Sequence, residues 1–468
     1  MMQLFKHKER LILFFTATLL FLFYSYKIGS LMPFYGDIAW FYISAKDFLQ
    51  GSGFPLVGIT SSHIWLHQGP LWTYLLSFSL WLGNYDPLAG GYLSIIIGIV
   101  TVYFVYLFGK IVFSVRVGVI SATLYATSPL ITLNARTPYH TTLIPLVTLL
   151  YFLSLYMWMN GSKKYFCYIP LLLTVLYNFE LATVTLVIPF MLIIFYGLFK
   201  KKNFIKSIER VDVIKAITLG MLPMVPVIIY DFGHGFKQTI IFTGWIFFTF
   251  FKGFYNLFIG NSAHIQDSSV LEFIYNSFRT LIFYRSGVIA LSIVVITLLL
   301  TIKELFVYQK LRTFQAHLLI LLWFLLCVGV FILNGVASDA YLLQIFPAVF
   351  IIIALGLNFI YSNFTKLAVS LIALIVLFNV KSTLNHNFFM GINENITLES
   401  RENVTRNIIS NSLSQRFILK GDGDGSQFRS FTMPYEYLLW YRGHPVNSSA
   451  KQTFLIKEDR GEIYLSKE

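Results

Sequence analysis

The stretch Phe34-Tyr35-Gly36-Asp37-Ile38-Ala39-Trp40-Phe41-Tyr42 lies between two long apolar runs, at about 11–30 and 88–109. Runs of that length predict helices that cross a bilayer. A carboxylate just past the end of a first span is costly to keep near lipid, and such residues are usually there for function. The same interval carries a second block, His67-Gln68-Gly69-Pro70-Leu71-Trp72-Thr73-Tyr74-Leu75. Residues 31–87 therefore read as a long first loop, partly helical. Gly36-Asp37 opens an amphipathic helix in which Ile38, Phe41, Ile43, Phe48 and Leu49 alternate with Lys46, Asp47 and Gln50. That pattern suits a helix lying along the membrane surface. Its dipole favours a carboxylate at the N-terminus, and the same residue also fits a plain helix cap.

Working outward, the composition excludes a soluble domain: of 468 residues, 56% are hydrophobic and only 12% are charged. Further apolar runs fall near 115–133, 141–159, 165–179, 181–199, 215–230, 281–301, 316–334, 341–361 and 366–380. The expectation is an all-α polytopic membrane protein of about eleven spans. The net charge of +13 does not point to nucleic acid, because the Lys and Arg residues sit mostly in short loops between apolar runs. There they set orientation by the positive-inside rule. Lys6, Lys8 and Arg10 place the N-terminus in the cytoplasm. Lys110, Arg116, Lys163, Lys164, Lys200 to Lys202, Lys303, Lys310, Arg312 and Lys366 fall on the same side. Basic clusters flank both ends of 165–199, so that segment must cross an even number of times. Two short helices broken near Asn178-Phe179-Glu180 satisfy this.

The opposite, outer side then holds the first loop, a short corner at 134–139, an aromatic-rich loop at about 231–280, and the polar tail 381–468. The tail's Gly421-Asp422-Gly423-Asp424-Gly425 turn and the strand-like run from Gln452 to Ile456 predict a small α+β domain. The chain thus divides into a membrane part, 1–380, and an extracytoplasmic domain, 381–468. The Asp-Gly run lacks the glycine and distal glutamate of an EF-hand loop and reads as a turn. Cys167 and Cys327 both lie within apolar runs and read as packing residues. The apolar run after Arg10 lacks a small-residue cleavage site and reads as a retained first helix. Asn395, Asn403 and Asn447 open glycosylation-type triplets from which nothing is drawn.

The order and spacing of these motifs resemble the C-type (GT-C) integral-membrane glycosyltransferases, in particular the protein mannosyltransferase (family 39) branch. The resemblance runs over about 10–380. Besides the two first-loop blocks it rests on Ser128-Pro129 with Asn134-Ala135-Arg136, on Tyr230-Asp231-Phe232-Gly233-His234-Gly235-Phe236, and on Tyr341-Leu342-Leu343-Gln344-Ile345-Phe346-Pro347-Ala348. It implies transfer of a hexose or pentose from a polyprenyl-phosphate donor to a hydroxyl of a protein, lipid or glycan. The reaction would take place at the outer face of a plasma or inner membrane, with Asp37 as the base. A single in-line displacement inverts the anomeric centre. The leaving phosphate needs fixed cations, and Arg136, His140, His234, Lys237 and Arg285 are candidates. His67, Asp231, Glu180 and Tyr341 complete the expected substrate-binding set. The sequence departs from some relatives at two places. Ile38 follows Asp37 where they carry a second acid, and the 134–140 corner offers Thr137, Tyr139 and His140 where they carry another. With no ligand spacing pattern, neither metal nor cofactor is expected. A ligase or polymerase acting on a diphosphate-linked glycan shares the same outward site. A transporter or flippase instead requires polar groups near the bilayer midplane, whereas most charges here lie at helix ends.

Overall fold

The computed structural model describes residues 7–61, 63, 65–258, 268–307, 311–334, 338–385, 396–412, 415–447 and 449–467. Lys6, Lys310 and Asn395, used above, lie outside them. Among the described residues, eight helical segments are long and apolar enough to cross a membrane: Leu88–Val112, His140–Met159, Leu181–Phe199, Arg210–Gly233, Gly287–Phe306, Phe314–Ile332, Ala340–Asn363 and Thr365–Leu384. A ninth is the pair Val115–Ala126 and Pro129–Ala135, bent by 71°. The bend falls where the Ser128 side chain caps the second helix with Pro129 in its first turn, a start signal that ends the preceding helix. Two shorter apolar helices, Leu11–Tyr24 and Leu71–Leu82, add to the bundle. The protein is an integral membrane protein.

Ala340–Asn363 is almost wholly buried. It packs against the helices Val115–Ala126, Gly287–Val307 and Leu311–Asn334. Aromatic contacts fill this centre: Phe152 stacks on Trp323 at 4.2 Å, and Trp323 donates to the Gln344 carbonyl at 2.8 Å. The outer helices of the bundle turn Phe14, Phe15, Leu299 and Leu377 outward, as a lipid-facing surface demands.

Two segments differ from the sequence reading in kind. Most of the expected loop at 231–280 is helical, as Lys237–Phe258 and Ser268–Ile282. Phe242, with Ile246 beside it, joins Leu66, Leu181 and Tyr177 in one apolar cluster, while Trp245, Phe247 and Phe248 on the same helix stay exposed. The expected helix after Asp37 forms as Gly36–Leu49, but its apolar face meets protein. Ile38, Phe41, Tyr42 and Ala45 are buried against the Leu71–Leu82 helix and the C-terminal segment.

That segment is α+β. Helices Leu398–Ser412 and Met433–Tyr441 cover a three-stranded sheet of β1 (Phe417–Asp422), β2 (Gln452–Asp459) and β3 (Glu462–Lys467). β1 runs parallel to β2, with Phe417 opposite Gln452, and β3 antiparallel to it, with Phe454 opposite Lys467. The segment docks on the first loop. The Tyr437 ring lies 5.1 Å from that of Tyr42 and its hydroxyl donates to the Tyr85 carbonyl at 2.7 Å. Leu398 N–H donates to the Met32 carbonyl at 3.0 Å. At Gly36 the fit leaves no room: a Cβ there stands 2.5 Å from the Ser430 carbonyl oxygen. Backbone cannot swing aside as a side-chain tip can, so Gly36→Ala has to displace the 429–431 turn. The expected result is a loss of about 1–3 kcal/mol and faster hydrogen exchange in the 429–441 segment. Wild-type exchange there would show that the two segments are not pressed together.

Candidate active site

Asp37 sits in the first turn of the Gly36–Leu49 helix, two residues after Tyr35 at its N-terminal boundary, and is partly exposed. Tyr35 is 39% exposed and lies at the mouth beside it. The wall facing Asp37 comes from the 136–140 corner. There Arg136 ends one helix and His140 opens the 3-10 turn that leads into the next span. The Tyr139 ring touches those of Tyr35 at 5.8 Å and Phe41 at 6.0 Å. His140 is packed edge-on against Tyr139 at 4.0 Å, with Phe41 at 5.3 Å. Burial pushes the Tyr139 phenol well above its ordinary range, and Tyr35, Asp37 and Glu180 push it further the same way.

Glu180 comes from the predicted break. The Tyr168–Phe179 helix stops there, and the Glu180 side chain accepts from Ala182 N–H at 3.2 Å to cap the following turn. Its other oxygen lies 3.7 Å from His140 Nε2. Its charge also reaches Tyr341, at the start of the central span. Asp37, Tyr139, His140, Glu180 and Tyr341 thus form one group, drawn from four separate parts of the chain.

The first loop is fastened to this break. Gly69 N–H donates to the Asn178 carbonyl at 3.1 Å, and a Cβ on Gly69 would overlap the Asn178 side chain. His67 belongs to a second group. Its backbone N–H and carbonyl make a two-way pair with the Gln238 amide, both at 3.1 Å, and its ring meets Tyr230 at 5.2 Å. Burial lowers the His67 pKa, against a raising hydrogen bond from Gln238 and with a further lowering by His234. Asp231 is buried and holds Gln238 in place: its two oxygens accept from the backbone N–H of Gln238 and Thr239, each at 2.9 Å. It therefore caps the Lys237–Phe258 helix. His234 is exposed, stacks on Tyr230 at 4.1 Å, and has Nδ1 2.7 Å from that residue's carbonyl oxygen. Lys237 is exposed beside it.

The remaining cations lie elsewhere. Arg136 is fully buried, and its Nη2 donates to the Tyr26 carbonyl at 2.7 Å, tying the corner to the end of the first helix. Burial pushes its pKa down to about 10, so it stays charged at neutral pH. Arg285 is exposed, with its guanidinium 5.5 Å from the Phe378 ring. Among the described residues no three His, Cys, Asp or Glu side chains converge as metal ligands. The sequence reading missed Gln238, because a lone amide in an apolar run carries no signal until its partner strand is known.

With its acid-bearing first loop under the C-terminal segment and a helical membrane bundle below, the chain has the fold of GT-C integral-membrane glycosyltransferases. ArnT from Cupriavidus metallidurans bound to undecaprenyl phosphate superposes with a TM-score of 0.59 at 9% identity, over 96% of this chain and 92% of that one. Its apo state gives 0.57 at 11% identity over the same shares. The archaeal oligosaccharyltransferase AglB from Archaeoglobus fulgidus, in complex with an inhibitory peptide and a dolichol-phosphate, gives 0.55 at 11% identity, over 95% and 69%. Within that class, residues 67–230 match the family model of dolichyl-phosphate-mannose-protein mannosyltransferases. The chain thus has a GT-C membrane fold and a mannosyltransferase-like stretch over 67–230, and fold and family match together indicate a glycosyltransferase. The matched stretch takes in His67, Arg136, His140 and Glu180; it ends one residue before Asp231, and Asp37 precedes it. No curated protein matches the chain in sequence.

Proposed function

We propose that the protein transfers a hexose or pentose from a polyprenyl-phosphate donor to a hydroxyl acceptor on a protein, lipid or glycan, at the extracytoplasmic face of the membrane. The acceptor oxygen attacks the anomeric carbon, and Asp37 takes its proton. The bond from that carbon to the phosphate oxygen breaks, and the polyprenyl phosphate leaves with inversion. The observation that carries this reading is the convergence of Asp37 with Tyr139, His140 and Glu180 beneath the first loop. A partly exposed carboxylate at a helix N-terminus can reach an incoming hydroxyl, a role that typically accelerates transfer about 10²- to 10⁴-fold. The lipid phosphates carried by the ArnT and AglB complexes support the donor class.

Arg136, next to Thr137 in the corner that carries Tyr139 and His140, supplies fixed positive charge for the leaving phosphate, while Lys237 and Arg285 are exposed on other elements. The positive-inside count supports a cytoplasmic N-terminus and a site on the opposite side of a plasma or inner membrane. The test is transfer by the purified protein in lipid, offered a panel of radiolabelled polyprenyl-phosphate sugars. Label passing to an acceptor or to water establishes the class and names the sugar. Turnover of diphosphate-linked donors alone overturns it in favour of a glycan ligase, and binding of none favours a transporter.

A further inference from the structure

Within the group around Asp37, His140 is out of place as a core residue. It is 1% exposed, and neither ring nitrogen has a hydrogen-bond partner among the described residues. Glu180 Oε2 lies 3.7 Å from Nε2, beyond hydrogen-bond length. Buried polar groups are nearly always satisfied, and a specific exception calls for an explanation. Glu180, 9% exposed, uses one oxygen on its own backbone cap and keeps the other turned to the imidazole. Around the pair stand the rings of Tyr139 and Phe41, with Tyr35 at the open side.

We infer that His140 and Glu180 form the sugar subsite: the pair reads two ring hydroxyls of the donor sugar, which is neutral or an amino sugar and not a uronate. This rests on the transferase reading above and names the substrate class within it. The chemistry fits at each point. An ionised carboxylate only accepts hydrogen bonds, and a neutral imidazole donates with one nitrogen and accepts with the other. A vicinal diol, which donates and accepts at both oxygens, completes what the protein leaves unmade. Aromatic rings offer apolar faces to the C–H side of a pyranose. Of the groups that bear on the Tyr139 phenol, Asp37 and Glu180 are carboxylates, so a carboxylated sugar meets repulsion there. Glu180 reaches the site from the helix break, about forty residues after the corner that carries His140.

The experiment uses full-length wild type, Glu180→Gln and His140→Gln in lipid. Glutamine at 180 keeps an oxygen for the Ala182 cap while removing the charge. Two readouts are taken. One is the ratio of affinities for the sugar-bearing lipid and for sugar-free polyprenyl phosphate. The other is kcat/KM over the preferred sugar, its single-hydroxyl epimers and its uronate. Wild type is expected to bind the sugar-bearing lipid more tightly than the bare one and to discriminate against the epimers and the uronate. In both variants affinity for bare polyprenyl phosphate stays at wild type, which also shows that they fold. The sugar-dependent gain disappears, and kcat/KM for the preferred sugar falls about a hundredfold. Glu180→Gln also narrows the gap between neutral sugar and uronate. Variants that keep the wild-type sugar preference and affinity ratio overturn the subsite while leaving the transferase reading intact. A sugar-dependent affinity that the variants lose, in a protein that transfers nothing, supports the subsite and overturns the transferase.

Discussion

Replacing Asp37 with Asn is expected to lower kcat for sugar transfer by about a thousandfold or more, with little change in stability or in affinity for polyprenyl phosphate. A hydroxyl holds its proton far too tightly at neutral pH to attack unaided, and removing a positioned base typically costs about 10²- to 10⁴-fold. Stability should hold, because Asn serves as well as Asp near a helix N-terminus. Only the favourable interaction of the charge with the helix dipole is lost, about 0.3–1 kcal/mol at a partly exposed position. Steady-state kinetics, a thermal unfolding curve and equilibrium binding of the bare lipid phosphate separate the three quantities. Near-wild-type turnover in Asp37→Asn would remove Asp37 from the role of base. The next carboxylate in reach would then be Glu180, which bears on the same Tyr139 phenol.

The largest stability effect is expected far from the chemistry, at Arg401. This guanidinium is 4% exposed, and its Nη2 donates to both oxygens of Glu458 at 2.9 Å. The Tyr435 hydroxyl donates to the same carboxylate at 2.6 Å. Removing Arg401 leaves the part-buried Glu458 carboxylate with the Tyr435 hydroxyl but without its cation, at a cost of about 3 kcal/mol, the low end for a buried pair. The C-terminal segment has a small core, built on Val404, Ile408, Phe417, Leu419, Tyr435, Leu439, Phe454 and Ile456, and so has little margin. Arg401→Met should therefore open the segment to limited proteolysis. Because that segment presses on Gly36 and Tyr42, transfer should fall with it. The double variant Arg401→Met with Glu458→Leu removes both charges and should recover most of the protection, since an apolar pair can replace a buried ion pair at little cost. A double variant as fragile as the single one would show that packing, and not the unpaired charge, is responsible.

The contrast between these two residues mirrors how far the sequence could be read. Asp37 stood out because a carboxylate beside a span is rare and expensive. Arg401 and Glu458 were invisible, because on a polar tail every charge looks solvated until the fold buries one. Helix content followed from apolar run length, and the break at Asn178-Phe179-Glu180 followed from basic residues at both ends of one segment. The 231–280 region was misread for a physical reason. Polar residues break up the continuous apolar run by which a spanning helix is recognised, and only the partners Leu66, Tyr177 and Leu181 show that Phe242 lies on a packed helix.

By itself, then, the sequence determined that this is a helical membrane protein with an acid on its first loop, a broken segment at 178–180 and a strand-bearing tail. Each of these follows from the local cost of placing a residue type in lipid, in water or in a turn. Only the tertiary structure decided that the Asp37 helix lies beneath the tail, that Gln238 clamps His67, and that Glu180 meets His140. Those pairings join residues 40 to nearly 400 positions apart. Close packing settles them, through contacts such as Gly36 against Ser430 that no window of sequence contains.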